Sequence, residues 1–255
     1  MINAAALRSL PEPLRLYFER HRFYLVAHAS DPDALSATDP REHIHHFADV
    51  EAYDSYPFRT FHTEFVLRHS PASAGEKRNG DVMWQIERFD LRLAADFKAA
   101  DWNDAGRDAV FCAHYAADLT QPLHTVLNFD GQRTAQNGIH KRFETDLVGF
   151  YADRWELHPA PAALIPNLRE RIFAELLRSY GMSRGIFAAD LKARARWSYS
   201  DPRFLSAFCS LAGAIAEAQI QDAAGFVGSL WYTAWARAGK PDLSGWTAQA
   251  ARPVP

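Results

Sequence analysis

The chain has 255 residues, of which 48% are hydrophobic and 23% are charged, and its formal net charge is -3. This composition is ordinary for a globular protein with a substantial core, and it excludes a wholly disordered chain. The slightly acidic balance also excludes an overall basic field that would hold duplex DNA through its phosphates.

The first segment carries neither a secretory signal nor a membrane span. The string MINAAALRSLPEPL has no basic stretch leading into an apolar one, and no part of the chain approaches the ~20 apolar residues of a transmembrane helix. We therefore expect either that the protein stays inside the cell or that the chain lacks its natural beginning. His21 and His28 are the early histidines, and both are predicted to lie on helix surfaces.

Two segments follow that contain carboxylates and imidazoles. Asp31 and Asp33 lie in the string SDPD, for which an Asx turn or a helix stop is the simplest interpretation. Residues 43 to 54, HIHHFADVEAYD, contain three histidines. At most one or two of these rings can face a common site.

Helix-period stripes dominate the rest of the chain, and strand signals are almost absent. One long helix is predicted to begin after Pro202 and to end near Gly239 and Pro241. Two further stripes are Met83, Ile86, Phe89, Leu93 and Phe97, and Leu168, Ile172 and Leu176. Loop-sized breaks fall at residues 31–41, 70–80, 128–138 and 158–166. The prediction is an all-α protein, with one helical domain over residues 1–240 and a loose tail over 241–255.

A predicted helix in the middle of the chain pairs an imidazole with a carboxylate. Asn103 and Asp104 are good N-cap residues for a helix that runs to Pro122. This helix carries His114 and Asp118, which lie on one face because they are four residues apart. Such a pair, taken alone, is more often a solvated helix pair than a site.

A further histidine and a second pair follow. His124 stands just beyond the first helix, where its ring can turn back toward the pair or cap the helix end. His140 and Glu144, again four apart, lie on a second predicted helix. Imidazole and carboxylate groups hold zinc while leaving a position open for water. Five such side chains exceed the needs of one catalytic ion, so two metals are predicted, with Asp118 as a possible bridge.

The string from His114 to Glu144, HYAADLTQPLHTVLNFDGQRTAQNGIHKRFE, resembles the zinc-dependent phospholipase C and single-strand-specific nuclease superfamily. The shared motif is His-x3-Asp-x5-His, a loop, and His-x3-Glu or Asp, with a proline two residues before the third ligand. HHFAD is similar to the superfamily's His-Phe-x-Asp motif, and QIQDAAGFVGSLWYTAW to its closing helix. The resemblance covers most of the chain, weakly outside these motifs.

The resemblance implies a helical bundle around a multinuclear zinc site. It implies one Zn²⁺ held by Asp31, His46, His114 and Asp118, and a second held by His124, His140 and Glu144. Asp31 would double as the general base, and Asp118 is the other catalytic candidate. Superfamily members bind a third zinc through an N-terminal tryptophan and a nearby histidine, and that element is missing here. Two zinc sites are therefore expected.

The implied activity is hydrolysis of phosphate esters by a metal-activated water. Glu144 and the apolar helix after it are more like the phospholipase branch than the nuclease branch, so a phospholipase C-like phosphodiesterase is the first expectation. A single-strand-specific nuclease is the alternative, in which Phe47 and Asp49 would stack on and hydrogen-bond a base. A zinc-binding protein without turnover is the third, because zinc can serve the fold alone.

The expected partner is the phosphodiester substrate, either a phospholipid headgroup or single-stranded nucleic acid. No protein partner is predicted. By the resemblance the protein would be secreted or periplasmic if its N-terminus is truncated, and cytoplasmic otherwise.

Overall fold

The computed structural model describes residues 1–56, 58 and 79–243. Within these residues the chain is helical and has no strand, which confirms the all-α prediction. None of the helices described has both the length and the apolarity that a membrane crossing requires. Most of the break predicted at residues 70–80 and the predicted tail after residue 243 lie outside the described residues.

Short helices form the first part of the chain and long helices form the rest. The short ones are α1 Ile2–Ala6, α2 Leu14–Arg20, α3 Arg22–Ala27, α4 Asp31–Ser36 and α5 Val50–Tyr53, with 3₁₀ turns at Leu7–Ser9 and Glu42–His46. Next come α6 Val82–Ala99, α7 Trp102–Thr120 and a 3₁₀ turn at Pro122–Thr125. The chain continues as α8 Ile139–Lys141, a π-helical turn Arg142–Leu147, α9 Val148–Tyr151, α10 Leu168–Arg194 and α11 Pro202–Arg237.

The apolar stripes form the buried faces of the long helices. Every residue of the stripes assigned to α6 and α10 is buried, which confirms those two helices. The helix after Pro202 ends at Arg237, and Gly239 follows with a φ of 87°, a left-handed conformation that suits glycine. The predicted stop near Gly239 and Pro241 is therefore confirmed.

The start of α7 differs from the prediction. Asp101, and neither Asn103 nor Asp104, is the N-cap residue, and its carboxylate accepts a hydrogen bond from the Asp104 amide at 3.2 Å. The helix therefore begins at Trp102, and Asp104 lies in its first turn. The negative charge of Asp104 in the first turn still interacts favourably with the helix dipole.

The core lies where α2, α7 and α11 meet. Trp231 on α11 is fully buried, and its ring stacks on Phe18 of α2 with 4.5 Å between centroids. Its indole Nε1 donates to the Ala109 carbonyl of α7 at 3.0 Å, so the polar end of this large side chain is satisfied. Helix α6 packs along α7, and α11 contacts both.

His21, predicted to lie on a helix surface, is buried, and the break predicted at residues 31–41 is partly helical. His21 is only 8% exposed, and its ring stacks on Tyr17. Burial, helped by the Arg20 charge, lowers the pKa of His21 to about 4. The break at residues 31–41 begins with α4, because Asp31, Pro32 and Asp33 suit a first helical turn.

Candidate metal centre

Two segments far apart in the chain bring the first set of ligand atoms together. His114 and Asp118 lie one turn apart on α7, and His46 ends the 3₁₀ turn Glu42–His46. His114 Nε2 is 3.0 Å from His46 Nδ1. Asp118 Oδ2 is 2.9 Å from His46 Nδ1 and 3.2 Å from His114 Nε2. The His46 ring is thus the one of the three neighbouring histidines that meets the α7 pair, as the resemblance implies.

The fourth side chain of this set belongs to Asp33. Its Oδ1 lies 3.5 Å from His114 Nε2 and 3.6 Å from His46 Nδ1. Asp31, which the resemblance implies as the ligand, instead contacts His28, with 2.8 Å between Oδ2 and Nδ1. Residues two apart in a helix point in nearly opposite directions, so α4 can direct only one of the two inward. We call Asp33, His46, His114 and Asp118 the first ligand group.

The second ligand group consists of His124, His140 and Glu144. His124 Nε2 is 3.1 Å from His140 Nε2 and 3.3 Å from Glu144 Oε2. His140 Nε2 is 2.7 Å from the same Glu144 oxygen. The i,i+4 pair therefore meets on one face as the spacing predicts, and His124 turns its ring toward it.

A π-helical turn carries Glu144, where the sequence predicted an ordinary α-helix. Such turns are rare and occur often at functional sites. The helix starts after Gly138, which has a φ of 81°, and the Asp130 carboxylate accepts from the Gly138 and His140 amides at 3.0 and 3.3 Å. These bonds fix the backbone on which the second ligand group is built.

Asp118 connects the two groups. Its Oδ2 faces His46 and His114, while its Oδ1 lies 3.3 Å from His124 Nδ1. His124 in turn directs Nε2 into the second ligand group. The carboxylate predicted as a bridge therefore contacts both groups, and it reaches the second through the His124 ring.

Outer contacts fix the direction of the two imidazoles in the first ligand group. His114 Nδ1 donates to the Ala29 carbonyl at 2.8 Å, so Nε2 is the nitrogen that faces the ligand group. His46 directs Nε2 away from the group, 3.4 Å from Ser36 Oγ and 3.7 Å from Glu42 Oε1. The Tyr115 hydroxyl donates to the same Glu42 carboxylate. In each ring, the nitrogen that points away from the ligand group is fixed by a contact with a neighbouring residue.

The electrostatics of the site favour positive charge. Burial disfavours the charged form of the His114 ring, but Asp118 and Asp33 outweigh it and raise its pKa to about 10. Burial likewise opposes the charged His124 ring, and Asp118 and Glu144 raise its pKa to about 10. The same contacts hold the pKa of Asp118 and of Glu144 well below the usual range, although burial acts the other way. The carboxylates that favour the protonated imidazoles would also attract a metal cation.

The donor set fits zinc. In a tetrahedral zinc site with Zn–N bonds of about 2.0–2.1 Å, neighbouring ligand atoms are about 3.3 Å apart. The distances given above, from 2.7 to 3.6 Å, lie on both sides of this value. The ligand atoms of Asp33, His46 and His114 lie within 4.8 Å of one another, and so do those of the second ligand group. Two groups could therefore each hold a metal ion.

Both ligand groups line one cavity of about 580 Å³. Ala216 and Ile220 of α11, with Phe143 and Val148, form an apolar part of its wall. Among the described residues that line it there is no lysine or arginine.

Phe47 and Asp49, predicted to bind a base, are not among the lining residues. Phe129 does not line the cavity either, but it is 49% exposed and its ring is 6.1 Å from the His140 ring.

Sequence reasoning missed three residues that the structure places at the ligands. Asp33 was passed over because the resemblance implies the carboxylate ligand at Asp31. Glu42 and Gln121 contact His46 and Glu144, respectively. Their sequence signal is only proximity, since Glu42 is four residues before His46 and Gln121 is three before His124.

No known family model matches this chain, and no curated protein matches it significantly. The geometry of the two ligand groups is therefore the basis for assigning a function.

Proposed function

We propose that the protein is a zinc-dependent phosphodiesterase of the phospholipase C type. The observation that carries the proposal is the convergence of two imidazole and carboxylate groups, joined by Asp118, on the wall of one cavity. Each group offers nitrogen and oxygen donors, as catalytic zinc sites do.

In the proposed reaction, the first ligand group would hold one ion and the second ligand group another. Zinc bound there would supply Lewis-acid chemistry, lowering the pKa of a bound water and stabilising the leaving oxygen. Asp33 is the candidate general base, since its side chain is 61% exposed and it lines the cavity. Asp118 contacts three rings, so its role is to orient them.

The apolar wall of the cavity supports an ester with an apolar alcohol part. Ala216, Ile220, Phe143 and Val148 offer no hydrogen bonds from their side chains, and they suit a lipid better than a sugar. This feature favours the phospholipase-like reading. Phe129 favours the alternative, a single-strand-specific nuclease, because an exposed ring beside His140 can stack on a base.

The first test measures zinc content and hydrolysis together. Zinc-loaded protein is incubated with bis(p-nitrophenyl) phosphate, phosphatidylcholine vesicles and single-stranded DNA. We expect turnover of the chromogenic diester and of the lipid, and His114→Ala or His124→Ala should lower kcat/KM at least ~100-fold with loss of bound zinc. His158→Ala is the control, because this exposed histidine lies outside both groups.

Two results would change the proposal. Hydrolysis of DNA alone would favour the nuclease. No hydrolysis at full zinc occupancy would leave a zinc-binding protein without turnover.

A further inference from the structure

We propose that Gln121 is a positioning residue for the second metal, and that its side-chain amide sets the affinity of the second ligand group. This inference rests on the proposed metal centre. It concerns a residue that is not itself a ligand.

Gln121 stands at the junction between two ligand-bearing elements. It follows α7, which carries Asp118, and it is the N-cap residue of the 3₁₀ turn that carries His124. Its main-chain amide donates to the Asp118 carbonyl at 3.0 Å, and its own carbonyl accepts from the His124 amide at 3.0 Å. The backbone of this residue is therefore fixed on both sides.

The side chain is fixed as well, and its amide can point only one way. Oε1 accepts from the Leu123 amide at 2.7 Å and so caps the turn. The NH₂ end must then face the other direction, because an amide has one acceptor end and one donor end. There Nε2 lies 3.0 Å from Glu144 Oε2 and 3.4 Å from His140 Nε2.

Glu144 is the ligand that most needs such a contact. Its side chain is 45% exposed, against 12% for His124 and 27% for His140. A long, exposed glutamate loses rotamer freedom when it binds an ion, and a fixed donor reduces that cost in advance. Gln121 thus couples the turn that directs His124 to the carboxylate that completes the group. Removing an outer contact of this kind typically costs 10–100-fold in metal affinity.

The test is a zinc titration of Gln121→Met, which keeps the length of the side chain and removes both the Nε2 donor and the Oε1 acceptor that caps Leu123. Competition with a chromogenic chelator gives the two dissociation constants, and turnover is not needed. We expect the Kd of one site to rise about 10–100-fold and the other to change little. In a His140→Ala background, which already lacks the second site, Q121M should have no further effect on the remaining site.

Gln221→Met is the matched control. Gln221 makes the same type of bond, with Oε1 accepting from the His158 amide at 2.9 Å, but it does not line the cavity. The Gln221→Met variant should bind both zinc ions with the affinities of the wild type. If Q121M does not fold, Gln121→Asn replaces it, since the shorter amide cannot reach Glu144 and should give the same loss.

Unchanged zinc affinities in Q121M would overturn the inference. An equal loss of zinc affinity at both sites would also overturn it, and so would a loss of affinity at the remaining site in the His140→Ala background. Either pattern indicates a general structural role. Two bound zinc ions without hydrolysis would refute only the proposed activity. A wild type that binds a single ion would refute both.

Discussion

Asp31 and Asp33 are two positions apart, yet one contacts His28 and the other contacts His46 and His114. Asp33→Asn should therefore remove zinc from the first ligand group and reduce turnover, whereas Asp31→Asn should keep both ions. Zinc content by elemental analysis of the two purified variants checks this. The reverse result would restore the ligand set that the resemblance implies.

The titration of the imidazoles gives a second prediction at the scale of residues. The pKa of His114 and of His124 rises from 6.5 to about 10. A raised pKa contributes stability that is complete below pH 6.5 and is lost as the pH rises toward 10. The melting temperature of zinc-free protein should therefore fall between pH 6.5 and 9.

Zinc should reverse this dependence of the melting temperature on pH, because it binds the neutral ring and competes with protons. The stabilisation gained on adding zinc should therefore grow over the same pH range. Thermal melts with zinc and with a chelator, at matched ionic strength, provide the comparison. Parallel curves would show that these rings do not bind the ion.

At the scale of elements, a buried network holds the π-helical turn in place. Asp190 on α10 is fully buried and accepts from Arg142 of the turn at 3.1 Å. It also accepts from Gln136 at 2.9 Å and from Tyr199 at 2.8 Å. One carboxylate thus ties the loop before α8, the π-helical turn and α10 together.

Asp190→Ala should destabilise the protein by about 3–5 kcal/mol, because it leaves the largely buried Arg142 without a carboxylate to balance its charge. The free energy of unfolding from denaturant titration measures this. Asp39→Ala is the control, since the Asp39–Arg41 pair is exposed, and it should change little. Equal effects of the two substitutions would show that the network does not stabilise the turn.

At the scale of the whole molecule, local patterns predicted the helices well. The stripes of α6 and α10 and the stop of α11 follow from residues close in the chain. The i,i+4 pairs of the site are local in the same sense. Their pairing is therefore visible in the sequence.

Features that depend on tertiary packing could not be predicted. Whether Asp31 or Asp33 faces His46 depends on how α4 lies against α7. The burial of His21 depends on what covers α2, and the π-helical turn contacts the distant Asp190 through Arg142. None of these leaves a periodic signal, because each is decided by neighbours far away in the chain.

The described residues of the cavity wall include no lysine or arginine. Asp33, Asp118 and Glu144 offset the charge of the protonated imidazoles beside them, so a strong attraction for a phosphate group would arise only with metal uptake. Inorganic phosphate should then protect the protein from heat in the presence of zinc and not in its absence. Metal supply would in this way decide both when the protein reacts and when a phosphate group can bind in its cavity.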